Sequence, residues 1–424
     1  MEAGGIWPLI KVALAFTAML VGIRLHLSVW LSILAGSLVL AFSFGLGPIE
    51  WAGAAAEGIF ELKAIYLALI VWAIMALSGV IEKTGQTERL MEAMRGYLRS
   101  PRLGLVFFPA LIGLLPMPGG AVFSAPMVKS LSERLGLPQE DKVLVNYWFR
   151  HVWELGWPLY PGIILAASLA GIPLTKLVAY GFPGVALCLA LGWVFVLRPG
   201  RLKISMPPDE GCFERSPNSV LRHGLPLITA IVGAIGLELI MAAAVPDADY
   251  ELGVLAALTA ALAVAVIQNR ISLSSLGGYL FGGHLLKMIL VIAAIFVFKE
   301  NLAKAGVVDE LARMAGGGAA IFAAAVFLPF LVGIVSGITI AFVGATFPLL
   351  LGLIEQLGLG SQLMAYIVLG MFSGFAGVMA SPIHICFVLT CQYFEVPLSR
   401  AWRRIAVPSF ILLLSGFAYF MLLR

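Results

Sequence analysis

The chain has 424 residues, of which 61% are hydrophobic and only 12% are charged. A soluble domain cannot bury that much apolar surface, so the composition excludes a soluble globular protein and predicts a polytopic membrane protein. The net charge of +4 is small, and no basic cluster is interleaved with aromatic residues, so no nucleic-acid partner is expected.

The first half of the chain begins with three apolar segments and one amphipathic segment. The apolar segments predict membrane-spanning helices over residues 6–23, 27–44 and 64–81. Residues 83–98 carry charged side chains on one side at helical spacing, which predicts a helix that lies along the membrane surface.

The next apolar segment is interrupted in its middle by Leu115-Pro116-Met117-Pro118-Gly119-Gly120. Proline removes a backbone donor and glycine weakens a helix, so one continuous helix is not expected here. Two half-helices of about ten residues each rise about 15 Å, which is roughly half of the hydrocarbon thickness. We therefore predict a re-entrant hairpin over residues 103–129. Backbone at that depth is tolerated only where protein or water covers it, which marks the hairpin tip as a candidate site.

A broken helix, a final helix and a linker complete the first half. The broken helix covers residues 143–170 and is interrupted between Gly156 and Gly162, where the sequence contains two prolines. The final helix covers residues 174–197. The polar residues 199–222 form the only plausible linker, which makes residues 1–198 one structural unit.

The second half repeats the first half in order and spacing. The matched positions are Lys83 with Lys304, Gly85 with Gly306, Pro109 with Pro329, Gly113 with Gly333, Pro126 with Pro348, Pro161 with Pro382, and Pro183 with Pro408. The repeat predicts a second unit over 223–424, with a hairpin at 318–353, a broken helix at 364–391 and a final helix at 398–423.

Each unit crosses the membrane an odd number of times, so the two units are inserted in opposite orientations. The predicted fold is therefore all-α, with two inverted repeats, about ten transmembrane helices and two re-entrant hairpins, which is typical of secondary transporters. Lysine and arginine residues gather on one predicted face of the membrane. This face is expected to be cytoplasmic, which places both termini outside.

The order of hairpin, broken helix and final helix resembles the ion transporter superfamily, which includes divalent-anion/sodium symporters, citrate permeases and gluconate permeases. The sequences Leu115-Pro116-Met117-Pro118-Gly119-Gly120 and Ser381-Pro382-Ile383-His384 are most similar to an uncharacterised prokaryotic branch, the domain of unknown function 401. The resemblance implies an elevator-type homodimer in the cytoplasmic (inner) membrane of a prokaryote. Residues 6–98 and 225–316 would form a static scaffold, and both hairpins would move.

Candidate ligand-binding residues lie at the two hairpin tips and at the two helix breaks. Freed amide groups at half-helix starts carry partial positive charge and favour an anion, whereas freed carbonyl groups favour a cation. The predicted substrate-binding residues are Pro118, Gly119, Gly120, Ser124, Ser336, Gly337, Thr339, Tyr160, Pro161, Ser381, Pro382 and His384.

Arg150, His151 and Glu154 are the only dense group of ionisable residues inside a predicted apolar span. At helical spacing, His151 and Glu154 share a helix face, and Arg150 and Glu154 are placed to pair. Charges at this depth commonly mark a transport pathway, so we predict that the three residues couple transport to an ion or a proton. The alternative is a salt-bridged structural cluster near the cytoplasmic end of the span.

The favoured function is secondary active transport of a small, carboxylate-like organic anion, coupled to a proton or sodium gradient. The expected partners are this anion, the coupling ion, membrane lipid and a second copy of the chain. No cofactor or metal is expected other than a sodium ion at the hairpin tips. An intramembrane enzyme is less favoured, because His151 and Glu154 alone give too few ligands for a metal and no nucleophile elbow is present. A channel built on the same hairpins is the other alternative.

Overall fold

The structure is a computed structural model that describes residues 6–98, 100–116, 120–198, 215–245, 249–281, 283–314 and 318–424, and all regular elements in these ranges are helices. The helices of the first half are α1 (Trp7–Arg24), α2 (Val29–Ser43), α3 (Pro48–Phe60), α4 (Leu62–Lys83), α5 (Gln86–Arg95), α6 (Pro101–Gly113), α7 (Ala121–Arg134), α8 (Gln139–Arg150), α9 (Pro161–Ala170) and α10 (Leu174–Gly192), followed by a π-helical turn at Trp193–Leu197. Those of the second half are α11 (Pro217–Ala244), α12 (Tyr250–Gln268), α13 (Leu273–Leu280), α14 (Gly283–Lys304), α15 (Val307–Met314), α16 (Gly318–Ser336), α17 (Thr339–Gln356), α18 (Leu363–Ala380), α19 (Ile385–Tyr393) and α20 (Leu398–Leu423), with a 3₁₀ turn at Gly360–Gln362.

Eight helices in the described ranges are long and apolar enough to cross a bilayer, and the bent pair Ser274–Leu280 and Leu285–Lys304 makes a ninth if it is one span. This result confirms the prediction of an all-α, multi-pass membrane protein. The count differs from the expected ten partly because Val29–Ser43 is apolar but shorter than a full span. In contrast, Thr339–Gln356, which was predicted as a hairpin arm, is as long as a span. The number of crossings therefore stays a prediction.

Two helices form where the sequence predicted no separate element, α3 and α13. Helix α3 begins with Pro48 in its first turn, and the Glu50 carboxylate accepts a hydrogen bond of 2.7 Å from the Gly47 amide. Proline at the first position and an acidic residue in the first turn both stabilise a helix start. Such local signals are invisible to a search for long apolar windows, which explains the omission.

One set of helices, α1–α5 with α11–α14, is called the first helix group. Within it, α14 packs against α2, α3 and α4, while α12 packs against α4 and α11. Gly58 allows the close approach of α3, because a Cβ atom there would lie 2.5 Å from the Phe296 carbonyl oxygen of α14. The Lys299 ammonium lies 2.8 Å from the Glu61 carboxylate and joins α14 to the start of α4.

The remaining long helices, α6–α10 with α16–α20, form the second helix group. Helix α6 packs against α7 and α8, and α16 packs against α17 and α18. Gly113 of α6 faces the Arg150 carbonyl, and Gly333 of α16 faces the Gly374 carbonyl, so that any side chain at either glycine would overlap the carbonyl. In both places the backbone of a hairpin lies directly against the backbone of the broken helix that follows it.

Candidate functional site

Four interruptions of the helices lie close together in the second helix group. They separate α6 from α7, α8 from α9, α16 from α17, and α18 from α19. We call the first and third of these the first and second tips, and the other two the first and second breaks. Residues at the tips contact residues at the breaks: Gly120 with Arg150, Thr339 with Glu154, and Gly337 with His384. The buried residues Arg150, His151, Glu154, Thr339 and His384 are called the central site.

The first break begins earlier than the sequence predicted. Helix α8 ends at Arg150, and the residues from His151 to Gly156 form turns. The expectation that His151 and Glu154 share a helix face is therefore wrong. The physical reason is that short-range turn bonds replace the helical ones, since the amide of Glu154 donates to the His151 carbonyl at 3.2 Å. This turn directs both side chains toward the second tip and the second break.

Three aromatic side chains of the first break are fixed to the end of α6. The bonds are Trp153 Nε1 to the Ala110 carbonyl at 2.8 Å, Trp157 Nε1 to the Leu114 carbonyl at 3.0 Å, and Tyr160 Oη to the Gly113 carbonyl at 2.6 Å. The last carbonyl groups of a helix have no partner within that helix, and leaving them buried and unpaired is costly. These aromatic donors therefore stabilise the end of α6. The hydroxyl of Tyr160, a predicted substrate ligand, therefore donates its hydrogen bond to the backbone of α6.

Glu154 lies at the centre of the polar contacts. One of its carboxylate oxygens accepts a hydrogen bond from the Thr339 hydroxyl, and the other lies 3.8 Å from His151 Nε2. His151 Nε2 also lies 3.1 Å from His384 Nε2. The other ring nitrogen of His151 is 2.6 Å from the Tyr147 carbonyl oxygen. A carbonyl only accepts hydrogen bonds, so this nitrogen carries a proton, and Nε2 of the neutral ring would present its lone pair to Glu154 and His384.

Arg150 occupies the side of the central site that faces the first tip. The residue is only 2% exposed, and its guanidinium lies so close to Gly120 that any side chain at this glycine would overlap it. Helix α7 starts at the next residue, Ala121. The guanidinium and the partial positive charge of a helix start therefore lie side by side.

The second tip is shaped by Gly337. Its φ of 65° lies in the left-handed region, where a residue with a Cβ atom is strained. A Cβ atom there would also lie 2.9 Å from the Cα atom of His384 and 3.1 Å from the hydroxyl of Ser381. The Ser336 hydroxyl accepts a hydrogen bond of 3.3 Å from the Ile338 amide and closes the turn. The tip thus lies against the backbone of the second break.

The sequence analysis missed a polar link between the first hairpin and the second broken helix. Asn146 is fully buried, and its side-chain amide donates to the Ala121 carbonyl at 3.0 Å and to the Thr390 hydroxyl at 3.1 Å. The same analysis also missed Cys386, which lies one helical turn before Thr390. Helical spacing is the signal that could have identified Asn146, since it lies one turn before Arg150 on α8.

The other predicted site residues have more ordinary surroundings. Ser124 donates to the Ala121 carbonyl of its own helix at 3.3 Å, and Pro161 is the first residue of α9. Ser381 is buried next to the second tip, whereas Pro382 is exposed. Pro118 and Gly119 lie outside the described residues. The structure therefore brings Gly120, Gly337, Thr339 and His384 together with Arg150, His151 and Glu154.

Comparisons with known proteins agree with a membrane transport fold. A family model described as "Protein of unknown function (DUF401)" matches residues 9–422. The chain is also similar to the crystal structure of the Alcanivorax borkumensis YdaH transporter, whose topology is described as unusual. The two share 14% sequence identity with a TM-score of 0.61, over 88% of this chain and 86% of that chain. At this identity the likeness shows the fold alone. A search of curated proteins gives no match.

Proposed function

The chain belongs to the DUF401 family, and we propose that it is a secondary active transporter for a small organic anion. The observation that carries this proposal is the buried guanidinium of Arg150, which lies against Gly120 at the start of a hairpin helix. Charged side chains inside membrane proteins are costly and commonly mark a transport pathway. A transporter that shares the fold gives further support.

The ends of the interrupted helices favour an anion. The carboxyl-terminal carbonyl groups of two of these helices are satisfied by side chains: Trp153, Trp157 and Tyr160 donate to the end of α6, and Tyr147 and Trp402 donate to the end of α18. In contrast, no side chain in the described ranges caps the starts of α7, α9, α17 or α19. We propose that amide groups at the starts of α7, α17 and α19 bind a ligand that accepts hydrogen bonds, whereas α9 begins with Pro161, which has no N–H group.

A carboxylate suits this environment best. The planar guanidinium of Arg150 matches a carboxylate through two parallel hydrogen bonds. Because Gly120 and Gly337 carry no side chain, Arg150 lies against the first tip and His384 lies against the second tip. We propose that the carboxylate of the substrate binds between Arg150 and the two tips, with Ser336 and Thr339 beside it.

The coupling ion is proposed to be a proton that binds between His151 and Glu154, or a sodium ion at the hairpin tips. The His151 Nε2 atom and a carboxylate oxygen of Glu154 face each other at 3.8 Å. Both atoms accept hydrogen bonds when the ring is neutral and the carboxylate is charged, so a cation between them stabilises the arrangement. Thr339 holds the other carboxylate oxygen, which connects the ion position to the second tip.

An elevator movement is proposed for transport. All four interruptions belong to the second helix group, so this group can carry a bound substrate as one body past the first helix group. The first helix group would be the static scaffold and would pair with a second copy of the chain. The protein is a multi-pass membrane protein, and we propose the cytoplasmic membrane of a prokaryote, with both termini outside and the basic face inside.

Inverted repeats remain part of this proposal, and the matched positions support them. Gly113 and Gly333, which the sequence repeat pairs, make the same kind of contact with a following broken helix. The proline pairs of the repeat also lie inside corresponding helices: Pro109 in α6 with Pro329 in α16, Pro126 in α7 with Pro348 in α17, and Pro183 in α10 with Pro408 in α20.

The experiment is a thermal-shift screen of small carboxylates and sulfonates with the purified protein, with and without sodium. A ligand that binds the folded form raises the melting temperature. We expect a carboxylate to stabilise the wild type but not Arg150→Ala. The matched control is Arg313→Ala, which changes an exposed arginine on α15 whose Nε donates to a carbonyl of its own helix. Equal stabilisation of wild type and Arg150→Ala would overturn the assignment of Arg150.

Uptake of the stabilising carboxylate is then measured in proteoliposomes under an imposed pH or sodium gradient. Saturable uptake that requires one of these gradients is the expected result. Ohmic, gradient-independent current would instead identify a channel and reject the carrier.

A further inference from the structure

Three metal-ligating side chains from the two breaks converge in the central site. A ring nitrogen of His151, a ring nitrogen of His384 and the sulfur of Cys386 all lie within 4.8 Å of one another. All three residues are at most 6% exposed. We propose that these side chains, with Glu154 as the fourth ligand, bind one Zn²⁺ ion per chain.

The ring orientation of His151 suits a metal ligand. Its Nδ1 atom donates to the Tyr147 carbonyl at 2.6 Å, which leaves the lone pair on Nε2. Zinc-binding histidines usually donate their second ring nitrogen to a carbonyl or a carboxylate in this way. The lone pair points to the region that contains His384 Nε2 at 3.1 Å and a Glu154 oxygen at 3.8 Å. His384 and Glu154 thus each place a potential ligand atom near Nε2 of His151.

The separations are close to those of a tetrahedral site. Zinc bonds of about 2.0–2.3 Å place neighbouring ligand atoms roughly 3.3–3.8 Å apart. The distance of 3.1 Å between the Nε2 atoms of His151 and His384 and the distance of 3.8 Å between His151 Nε2 and a Glu154 oxygen fall near this range. The widest separation among the histidine and cysteine atoms, 4.8 Å, has to contract by about 1 Å to complete the tetrahedron. The proposal therefore requires the Cys386 side chain to rotate toward the two histidines when the metal binds.

The chemistry of the ligands selects the metal. Two imidazoles, one thiolate and one carboxylate suit Zn²⁺, whereas sodium and magnesium prefer oxygen ligands. Binding converts the Cys386 thiol to a thiolate, and the proton leaves to the solvent. Neighbouring contacts hold the ligands in place: Thr339 bonds the second oxygen of Glu154, and Tyr147 bonds His151.

A bound ion would join the two breaks. His151 and Glu154 belong to the first break, while His384 and Cys386 lie at the second break and the helix start that follows it. Because Glu154 also holds Thr339 of the second tip, the ion would tie three interrupted elements together. If the proposed transport function is correct, Zn²⁺ should inhibit uptake; this consequence rests on that function, whereas metal binding does not.

The test uses the full-length protein in detergent, stripped with a chelator and titrated with Co²⁺ as a spectroscopic probe. The expected spectrum has a thiolate-to-cobalt charge-transfer band in the near ultraviolet and intense tetrahedral bands in the visible range. Zn²⁺ should displace Co²⁺ with a stoichiometry of one per chain. Absence of the charge-transfer band in the wild type would overturn the proposal without requiring any variant.

Variants locate the site. Cys386→Ser should abolish the charge-transfer band and weaken binding more than about tenfold, since even the outer partners of metal ligands typically contribute 10–100-fold. The matched control is Cys391→Ser, another buried cysteine of the same helix, which should keep the band and the affinity. Retention of the band in Cys386→Ser, or its loss in Cys391→Ser, would reject the assignment. Since these readouts need no substrate, a failure of transport leaves them unaffected.

Discussion

Gly337 offers the sharpest test of how the second tip meets the second break. The change Gly337→Ala adds one Cβ atom, which has two separate costs. A residue with a Cβ atom in the left-handed region loses about 1–2 kcal/mol. The same atom lies 2.9 Å from His384 Cα, and relieving such overpacking costs about 1–3 kcal/mol more. We therefore expect Gly337→Ala to lower the free energy of unfolding by about 2–5 kcal/mol.

Gly306→Ala separates the two costs. Gly306 has a φ of 64°, almost equal to that of Gly337, but nothing lies within 4 Å of the position of its Cβ atom. This variant should lose only the conformational part, about 1–2 kcal/mol. The free energy of unfolding is measured for wild type and both variants by denaturant titration in the same detergent.

Ligand binding and uptake of the same variants complete the test. Gly337→Ala should abolish stabilisation by the carboxylate and uptake, because His384 and the tip have to separate to admit the Cβ atom. Gly306→Ala should retain both activities. Equal destabilisation by the two changes, with uptake preserved in Gly337→Ala, would refute the close contact between tip and break.

Three further changes probe the central site and its supports. Glu154→Gln should abolish gradient-driven uptake but leave substrate exchange across the membrane, which counterflow in proteoliposomes measures; normal driven uptake would remove Glu154 from coupling. Arg150→Lys keeps the charge but loses the planar fork, so the apparent KM for the carboxylate should rise about tenfold in uptake assays. An unchanged KM would refute bidentate binding. Asn146→Leu should lower unfolding free energy by about 1–3 kcal/mol, because it leaves the Thr390 hydroxyl and a hairpin carbonyl without their donor. Asn301→Leu, where the lost bond is local to α14, is the control and should cost less.

The interruptions at the two predicted hairpin tips could be located from the sequence because proline and glycine act locally, whereas the re-entrant course of these segments stays a prediction. The structure places α6 and α7 over the hairpin predicted at 103–129, and α16 and α17 over the one predicted at 318–353. The helix ends differ from the predicted bounds by a few residues, and Pro109 and Pro329 lie inside α6 and α16. In a membrane protein, neighbouring helices can satisfy the backbone groups that a proline frees.

The early start of the first break could not be predicted from the sequence. The pattern around Arg150, His151 and Glu154 is compatible with a helix, and only the tertiary contacts select the turn. Trp153 and Trp157 donate to carbonyl groups about forty residues earlier in the chain. Long-range bonds of this kind have no periodic signature, so neither the early end of α8 nor the meeting of His151 with His384 could be predicted.

The two classes of helix end differ in how their backbone groups are satisfied, which supports the proposed site. A break frees carbonyl groups at one helix end and amide groups at the next helix start, and both need partners when buried. This chain provides fixed aromatic donors for the carbonyl groups at the ends of α6 and α18. The start of α7 lies beside the buried guanidinium of Arg150. Helix α17 starts at Thr339, whose hydroxyl donates a hydrogen bond to the Glu154 carboxylate. The helix starts beside Arg150 and Thr339 are therefore the places where the proposed anion is to be tested first.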